Sequence, residues 1–184
     1  MKRRNFIQNS TLTAASLMAV NPLFSNNNSK PNHVYNLNYA PHFGMFKNHA
    51  GSDIFNQLEF IKDQGFKSFE DNGMKNRDAK TQEKIGNFLS NYNIKMGVFV
   101  AHKIYWNEPN LASGDLNKRS EFLNDISTSV EVAKRVNAKW MTVVPGHLDL
   151  RKDMNYQTQN VIETLKQAAE LLEKHDLTMV LEPL

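Results

Sequence analysis

Apolar and polar positions follow two alternating periods along most of the chain. Short apolar runs typical of buried strands are separated by longer segments in which apolar residues recur every three or four positions, as on one face of a helix. The clearest run is 94–102, and the run at 177–184 ends in a carboxylate, Glu182, followed by Pro183. Proline cannot donate to a β-ladder, so it ends this last strand. The alternation predicts a parallel α/β sheet.

Five strands and four helices are expected. The strands are predicted at 35–40, 66–70, 94–102, 140–144 and 177–182. Ser52 or Asp53 can cap the first helix, and Gly65 can end it. The strands recur about every 30–45 residues, which suits right-handed βαβ units. The predicted apolar helix faces are Ile54, Leu58 and Ile61; Ile85, Phe88, Leu89 and Tyr92; Leu123, Ile126, Val130 and Ala133; and Val161, Leu165, Ala168 and Leu172.

Residues 1–32 differ from the rest and are predicted to form an export signal with a polar linker. A basic start with the pair Arg3-Arg4 precedes Phe6 and a mildly apolar stretch at 11–20. A stretch of about ten residues is too short to span a bilayer but is typical of a signal peptide. The arginine pair resembles a twin-arginine signal, which implies a periplasmic protein. The alternative is an N-terminal segment that stays in the cytosol. The folded domain is expected at 33–184.

The net charge of +3 comes from the N-terminal segment. The chain has 22 basic and 19 acidic residues, and residues 1–30 hold four of the basic ones and none of the acidic ones. The remainder therefore carries 18 basic against 19 acidic residues. Such a balance disfavours nucleic acid as a partner. The chain has no cysteine, which excludes disulfides, thiolate metal sites and cysteine nucleophiles.

Polar residues able to do chemistry stand where the predicted strands end. His42, Glu70, His102, His147 and Glu182 close strands one to five in that order. In βα barrels the carboxyl ends of the strands form the active face. Histidine can carry a proton or bind a metal, and a hard divalent cation prefers carboxylate oxygen. For each residue the structural alternative is a polar side chain satisfied by a neighbour or by water.

A long loop follows the third predicted strand and carries Trp106. Loops of this length after a strand are commonly functional or disordered. We expect Trp106 to form an apolar wall over a bound substrate. The structural alternative is that its indole pins the loop to the rim of the sheet.

Three segments resemble the xylose isomerase-like TIM barrels, and within them the hydroxypyruvate isomerase-like group. These segments are 65–70, the third strand leading into Asn107-Glu108-Pro109, and Val180-Leu181-Glu182-Pro183. The resemblance covers about 34–184. It implies an α/β fold, a TIM (β/α)8 barrel of which about the first five strands and four helices are present.

The resemblance also implies an activity. Members of this superfamily interconvert aldoses and ketoses, or epimerise next to a carbonyl, by moving a proton through an enediolate. Glu182 would be both the first ligand of Mg²⁺ or Mn²⁺, with Zn²⁺ less favoured, and a catalytic residue. The substrate would be a small carbohydrate-like molecule contacting the strand-end and loop residues Glu70, His102, His147, His42 and Trp106.

The remaining metal ligands and a second glutamate would lie on strands six to eight. We therefore expect the 184 residues to be the front portion of a longer protein, and to be inactive alone. Five strands would leave both sheet edges unpaired, so the isolated chain is expected to be unstable or to self-associate. Two alternatives stay open. One is a zinc-dependent hydrolase of the endonuclease IV-like branch using His102, His147 and Glu182, and the other is an exported barrel that binds sugar without turnover.

Overall fold

A computed structural model describes residues 33–183. Strands and helices alternate along this part of the chain. The strands are β1 (Ser68–Phe69), β2 (Lys95–Met96), β3 (Trp140–Val143) and β4 (Thr178–Leu181). The helices are α1 (Lys47–Ala50), α2 (Ile54–Asp63), α3 (Ala79–Asn91), α4 (Leu116–Val136) and α5 (Met154–Glu173), with 3-10 turns at Met74–Asn76 and Leu111–Ser113.

The strands form one parallel array in chain order. Strand β1 pairs with β2, and β3 pairs with β4. Single parallel bridges join His42 to Glu70 and Val100 to Thr142, so the two pairs and the segment before β1 connect into five adjacent strands. This order confirms the predicted parallel α/β topology, in which each helix carries the chain back to start the next strand.

Each long helix begins at an aspartate. The carboxylates of Asp53, Asp78, Asp115 and Asp153 accept hydrogen bonds from backbone N–H groups in the first turn of α2, α3, α4 and α5. These N–H groups have no partner inside a helix, so the aspartate stabilises each helix start by about 1 kcal/mol. Of the two predicted caps of the first long helix, Asp53 is the one used.

A residue with positive φ follows each of the same four helices. Gly65, Asn93, Asn137 and Asp176 have φ between 53° and 86°. Glycine, asparagine and aspartate tolerate this left-handed conformation, which ends a helix and turns the chain back toward the sheet. The helix starts and ends are therefore set by residues next to them in the sequence.

The apolar core lies between the strands and the helices. Phe69, Met96, Met141 and Val143 from the strands pack against apolar residues of the helices. The predicted helix faces are largely confirmed, with Leu58, Ile61, Ile85, Leu89, Ile126, Val130, Ala133, Ala168 and Leu172 buried. Tyr92 is 46% exposed, so the second predicted face is narrower than expected.

The first predicted strand is wrong. Residues 35–40 form no strand, and pairing begins only at His42. Pro41 has no N–H to donate and contributes only its carbonyl oxygen, which accepts from Glu70 N at 3.1 Å. Tyr35 instead stacks on the ring of Phe66, with centroids 4.8 Å apart. The third strand is also shorter than the predicted 94–102, because regular pairing lapses after Met96 and resumes as one bridge at Val100.

The last strand was expected to be buried, but it is partly exposed. Val180 is 42% exposed and Leu181 is 49% exposed. Strand β4 pairs with β3 along one edge, and no strand within residues 33–183 lies along its other edge. The described residues thus form an open parallel sheet of five strands. No helix among them is long and apolar enough to cross a membrane.

Helices α3 and α4 cross closely at Gly86, and we predict that Gly86→Ala destabilises the fold. A Cβ at this position would overlap the carbonyl oxygen of Arg135 and lie 3.0 Å from Val136 Cα. Overpacking costs about 1–3 kcal/mol, which exceeds the roughly 1 kcal/mol by which alanine favours a helix over glycine. The urea midpoint should fall. Gly73→Ala is the control, because its Cβ would meet only Asp71 Oδ1 at 3.4 Å. Equal midpoints for the two variants would refute the close crossing.

Candidate functional site

The predicted site residues at strand ends share one edge of the sheet. His42 pairs with Glu70, and Pro109 in the long loop pairs with His147. Glu182 donates its backbone N–H to Val143 O at 3.0 Å. Because all strands are parallel, their carboxyl ends meet at this edge, which in α/β barrels is the catalytic face.

Two carboxylates at this edge face away from the helices. Phe69 is buried in the core between sheet and helices, so the next residue, Glu70, points to the opposite side. Met179 also packs against that core, which places Val180 and Glu182 on the side of Glu70. Glu70 and Glu182 thus face the prospective barrel interior from strands three spacings apart, about 14 Å along the sheet.

Gly97 leaves space beside Glu70. A Cβ at position 97 would lie 3.3 Å from Glu70 Cβ and 3.2 Å from Phe69 O. Any larger residue there would push against the glutamate. The sequence offered no sign that this glycine serves the site, because the contact depends on the register between β1 and β2.

The ring of His102 connects the end of the third strand, which includes β2, to the end of the fourth strand, which is β3. Its Nδ1 lies 2.8 Å from the carbonyl oxygen of Lys103, and its Nε2 accepts from Val144 N at 3.0 Å. A carbonyl can only accept, so the imidazole is the neutral tautomer with hydrogen on Nδ1. The ring is 4% exposed and packs edge-on against Phe122. Both ring nitrogens are therefore used by the backbone, which favours the structural alternative for this residue.

A cavity of about 490 Å³ opens beside His102 at the carboxyl ends of the strands. Its lining includes Asn72, Asn76 and Trp106 together with Lys75 and Lys103. The indole of Trp106 is 57% exposed. The structure therefore brings together two of the predicted site residues, His102 and Trp106, in one concave surface with two amides that sequence reasoning had missed.

Lys75 is a charged residue of this cavity that the sequence did not single out. Its ammonium lies 2.7 Å from Asp125 O, 3.0 Å from Ala101 O and 3.1 Å from Asp125 Oδ1. The hydroxyls of Thr128 and Ser129 lie at 3.0 and 3.1 Å. Burial lowers the pKa of Lys75, and the hydrogen bond and charge of Asp125 oppose that shift. No local pattern marks this lysine, because its partners are 26–54 residues away.

The loop that carries Trp106 is held by Tyr105. The phenol donates to Glu121 Oε2 at 2.5 Å and accepts from Lys103 Nζ at 2.9 Å. The ammonium groups of Lys103 and Lys118 lie 4.4 and 4.9 Å from the centroid of its ring. These contacts anchor the loop to helix α4 and fix the start of the segment that presents Trp106.

The other predicted residues do not line this cavity. His42 is exposed, and its Nδ1 lies 2.9 Å from Phe43 O. His147 is exposed beside Pro109, and Glu182 is exposed at the end of β4. The strand-end residues are therefore distributed along the edge and are not gathered into one cluster. Within residues 33–183, no three His, Asp or Glu side chains converge as a metal site would require.

A second cavity, of about 550 Å³, lies at the amino ends of β2 and β3. Its lining includes Asn93, Lys95, Asn137 and Trp140. In α/β barrels this face serves stability and the opposite face serves chemistry. We therefore assign the candidate site to the smaller cavity and the strand ends next to it.

Comparison with known proteins identifies the fold. A family model described as a xylose isomerase-like TIM barrel matches residues 58–184. No curated protein matches the chain.

Several solved structures also resemble it. An AP endonuclease of family 2 from Brucella melitensis is 19% identical, with 79% of this chain and 54% of that chain covered and a TM-score of 0.60. The E. coli 3-keto-D-glucoside 4-epimerase is 16% identical, with 80% of this chain and 56% of that chain covered and a TM-score of 0.61. The IolI protein with a bound zinc atom is 14% identical, with 79% of this chain and 52% of that chain covered and a TM-score of 0.59. The chain spans about half the length of these structures, and identities this low show the fold alone.

Protonation of His102 should weaken the fold. Burial lowers the pKa of its imidazole below the ordinary 6.5, the Lys103 backbone bond and Asp125 oppose this, and Lys75 adds to it. The unfolded chain then binds a proton at a higher pH than the folded chain, so the free energy of unfolding falls as pH drops from about 6.5 through the lower folded pKa. Urea titrations between pH 7 and pH 5, at roughly half-unit steps, measure this slope.

His102→Gln should be less stable at neutral pH but show a flatter slope in that window, because glutamine does not titrate. His175→Gln, which changes an exposed histidine in the turn that follows α5, should keep the wild-type slope. An unchanged slope in His102→Gln would show that His102 does not set the acid sensitivity.

Proposed function

Because the chain belongs to the xylose isomerase-like TIM barrel family, we propose that the protein is a divalent-metal-dependent isomerase or epimerase of the hydroxypyruvate isomerase-like kind. Its substrate is a small sugar or hydroxy-carbonyl compound, and a proton moves between adjacent carbons through an enediolate. The chain spans about half the length of the structures it resembles, so the reaction is proposed for the whole protein.

The observation that carries this proposal is the position of Glu182. It follows β4 directly, on the interior side of the sheet and at the carboxyl-end edge. Its side chain is exposed, and no ion pair to it is found in the described part of the chain. An unpaired carboxylate at a barrel strand end has the chemistry to bind a hard cation or a proton in transfer.

A divalent cation fits this carboxylate in chemistry. Glu182 would hold Mg²⁺ or Mn²⁺, with Zn²⁺ less favoured, and the ion would stabilise negative charge on the substrate oxygens. Because residues 33–183 bring no three potential ligands together, the proposal requires further ligands and the second glutamate from outside this range.

The described residues would then bind and orient the substrate. The cavity beside His102 lies on the third strand, two strand spacings or about 10 Å along the sheet from Glu182. We place the reacting carbons near Glu182 and the far end of an extended sugar in this cavity, against the indole of Trp106. His42, Glu70 and His147 would contact substrate hydroxyls from the rest of the edge, and His102 would hold the third and fourth strands in place.

The two alternatives differ from this proposal in testable ways. A zinc-dependent hydrolase using His102 as a ligand is opposed by the hydrogen bonds to both ring nitrogens of His102. An exported barrel that only binds sugar would take up the same ligands without exchanging their protons.

Glu182→Gln should remove turnover and weaken metal binding. The amide keeps the shape of the side chain but cannot take a proton or offer a full negative charge, so we expect a loss of at least about 100-fold in rate. The assay follows deuterium entry from D₂O at the carbon next to the carbonyl in a panel of ketoses and hydroxy-carbonyl compounds with Mg²⁺ or Mn²⁺. Mn²⁺ titration gives the affinity.

Glu170→Gln, an exposed change on α5, should leave both measurements unchanged. Wild-type rates in Glu182→Gln would refute the assignment of this residue. Sugar binding by the natural protein without any deuterium entry would support the non-catalytic alternative.

We also propose that the protein is exported by the twin-arginine route. The support is the pair Arg3-Arg4 with Phe6 two positions on, in residues that lie outside the described range. Changing both arginines to lysine should keep the protein in the cytosol in cell fractionation, because this route reads the arginine pair. Lys2→Arg leaves the pair intact and should still be exported. Wild-type protein found only in the cytosol would contradict the proposal.

A further inference from the structure

We infer that the substrate is an uncharged, polyhydroxylated sugar and not a sugar phosphate. This inference rests on the proposed function and concerns the cavity lined by Lys75, Lys103, Asn72, Asn76 and Trp106. A phosphate group sits at the end of a sugar far from its reacting carbons. With those carbons at Glu182, the far end occupies this cavity, so the groups lining it decide whether a phosphate is accepted.

Lys75 has no donor left for a phosphate. An ammonium group has three N–H bonds, and five oxygen atoms of the protein already lie within 3.1 Å of Lys75 Nζ. One of them belongs to the carboxylate of Asp125, which balances the charge. Asp125 is fixed in turn, because its Oδ2 accepts from Lys103 N at 2.9 Å. Turning the ammonium toward a ligand would break its ion pair with Asp125, in which both side chains are mostly shielded from solvent.

Lys103 lines the cavity, and its ammonium already has partners. Its ammonium donates to Tyr105 OH at 2.9 Å and lies 3.5 Å from Glu121 Oε1. It also lies over the ring of Tyr105. Both cationic residues of the lining are therefore matched by a carboxylate, and the cavity offers no unpaired positive charge to a dianion.

The remaining polar groups of the lining are neutral. Asn72 and Asn76 are exposed at the cavity, and each amide can donate and accept, which matches sugar hydroxyl groups. The exposed face of Trp106 offers an apolar surface to the C–H groups of a sugar. Phosphate recognition in proteins relies instead on free arginine, lysine or clustered backbone N–H groups.

The test compares matched ligands on the protein expressed from its complete gene. Isothermal titration with D-fructose and with fructose 6-phosphate, at one Mg²⁺ concentration, should give at least tenfold weaker binding of the phosphate. Deuterium entry into the neutral sugars should exceed entry into their phosphates by a similar factor.

Freeing a lysine should narrow this preference. Glu121→Gln removes the negative charge that pairs with Lys103 but keeps an amide oxygen that can accept from Tyr105 OH, so the affinity for the phosphate should rise several-fold relative to that for the neutral sugar. Glu131→Gln is the matched control, since it breaks an equivalent exposed pair on the same helix, with Lys134, away from the cavity. It should change neither affinity.

The outcomes separate the two proposals. Equal or tighter binding of the phosphate, with deuterium entry intact, overturns the uncharged substrate and leaves the isomerase proposal standing. Absence of binding and of deuterium entry for every neutral sugar and phosphate in the panel overturns both. Preference for the neutral sugar, narrowed by Glu121→Gln and not by Glu131→Gln, supports the inference.

Discussion

Parallel pairing of the strands is the constraint on which the rest of the structure depends. Backbone hydrogen bonds such as Ala101 N to Thr142 O and Glu182 N to Val143 O bring distant segments side by side with all carboxyl ends at one edge. Residues scattered from His42 to Glu182 thereby face a common region. An antiparallel arrangement of the same strands would send half of these residues to the other edge.

Polar contacts stabilise the carboxyl-end edge of the sheet, beyond the apolar core between strands and helices. Lys75, Asp125 and Ser129 join the end of the third strand to helix α4, and His102 joins it to the fourth strand. Such networks are worth having only when every member is satisfied, since a buried charge without partners is costly. Their completeness is also why the cavity above them carries little free charge, so the same contacts that support the edge restrict the kind of ligand it suits.

Much of the architecture could be predicted from the chain. The order of strands and helices followed from the two hydrophobic periods, and Asp53 and Gly65 marked the ends of the first long helix. The first strand was misplaced because the apolar pattern at 35–39 is typical of a strand. In the structure no strand forms there, and Tyr35 stacks on Phe66. The last strand was expected to be buried. Its burial depends on a further element along its free edge, and the apolar pattern of the strand itself does not show whether such an element is present.

The sequence by itself determined where the long helices begin and end, the order of helices and strands along the chain, and the line of polar residues at the strand ends, because these depend on local backbone preferences and on the alternation of apolar positions. Tertiary structure decided what those polar residues can do. It occupied both nitrogens of His102, surrounded Lys75 with oxygen atoms from positions 26–54 residues away, and left Glu182 exposed. Partners this distant in the chain are set by strand register and helix packing, which no local pattern encodes.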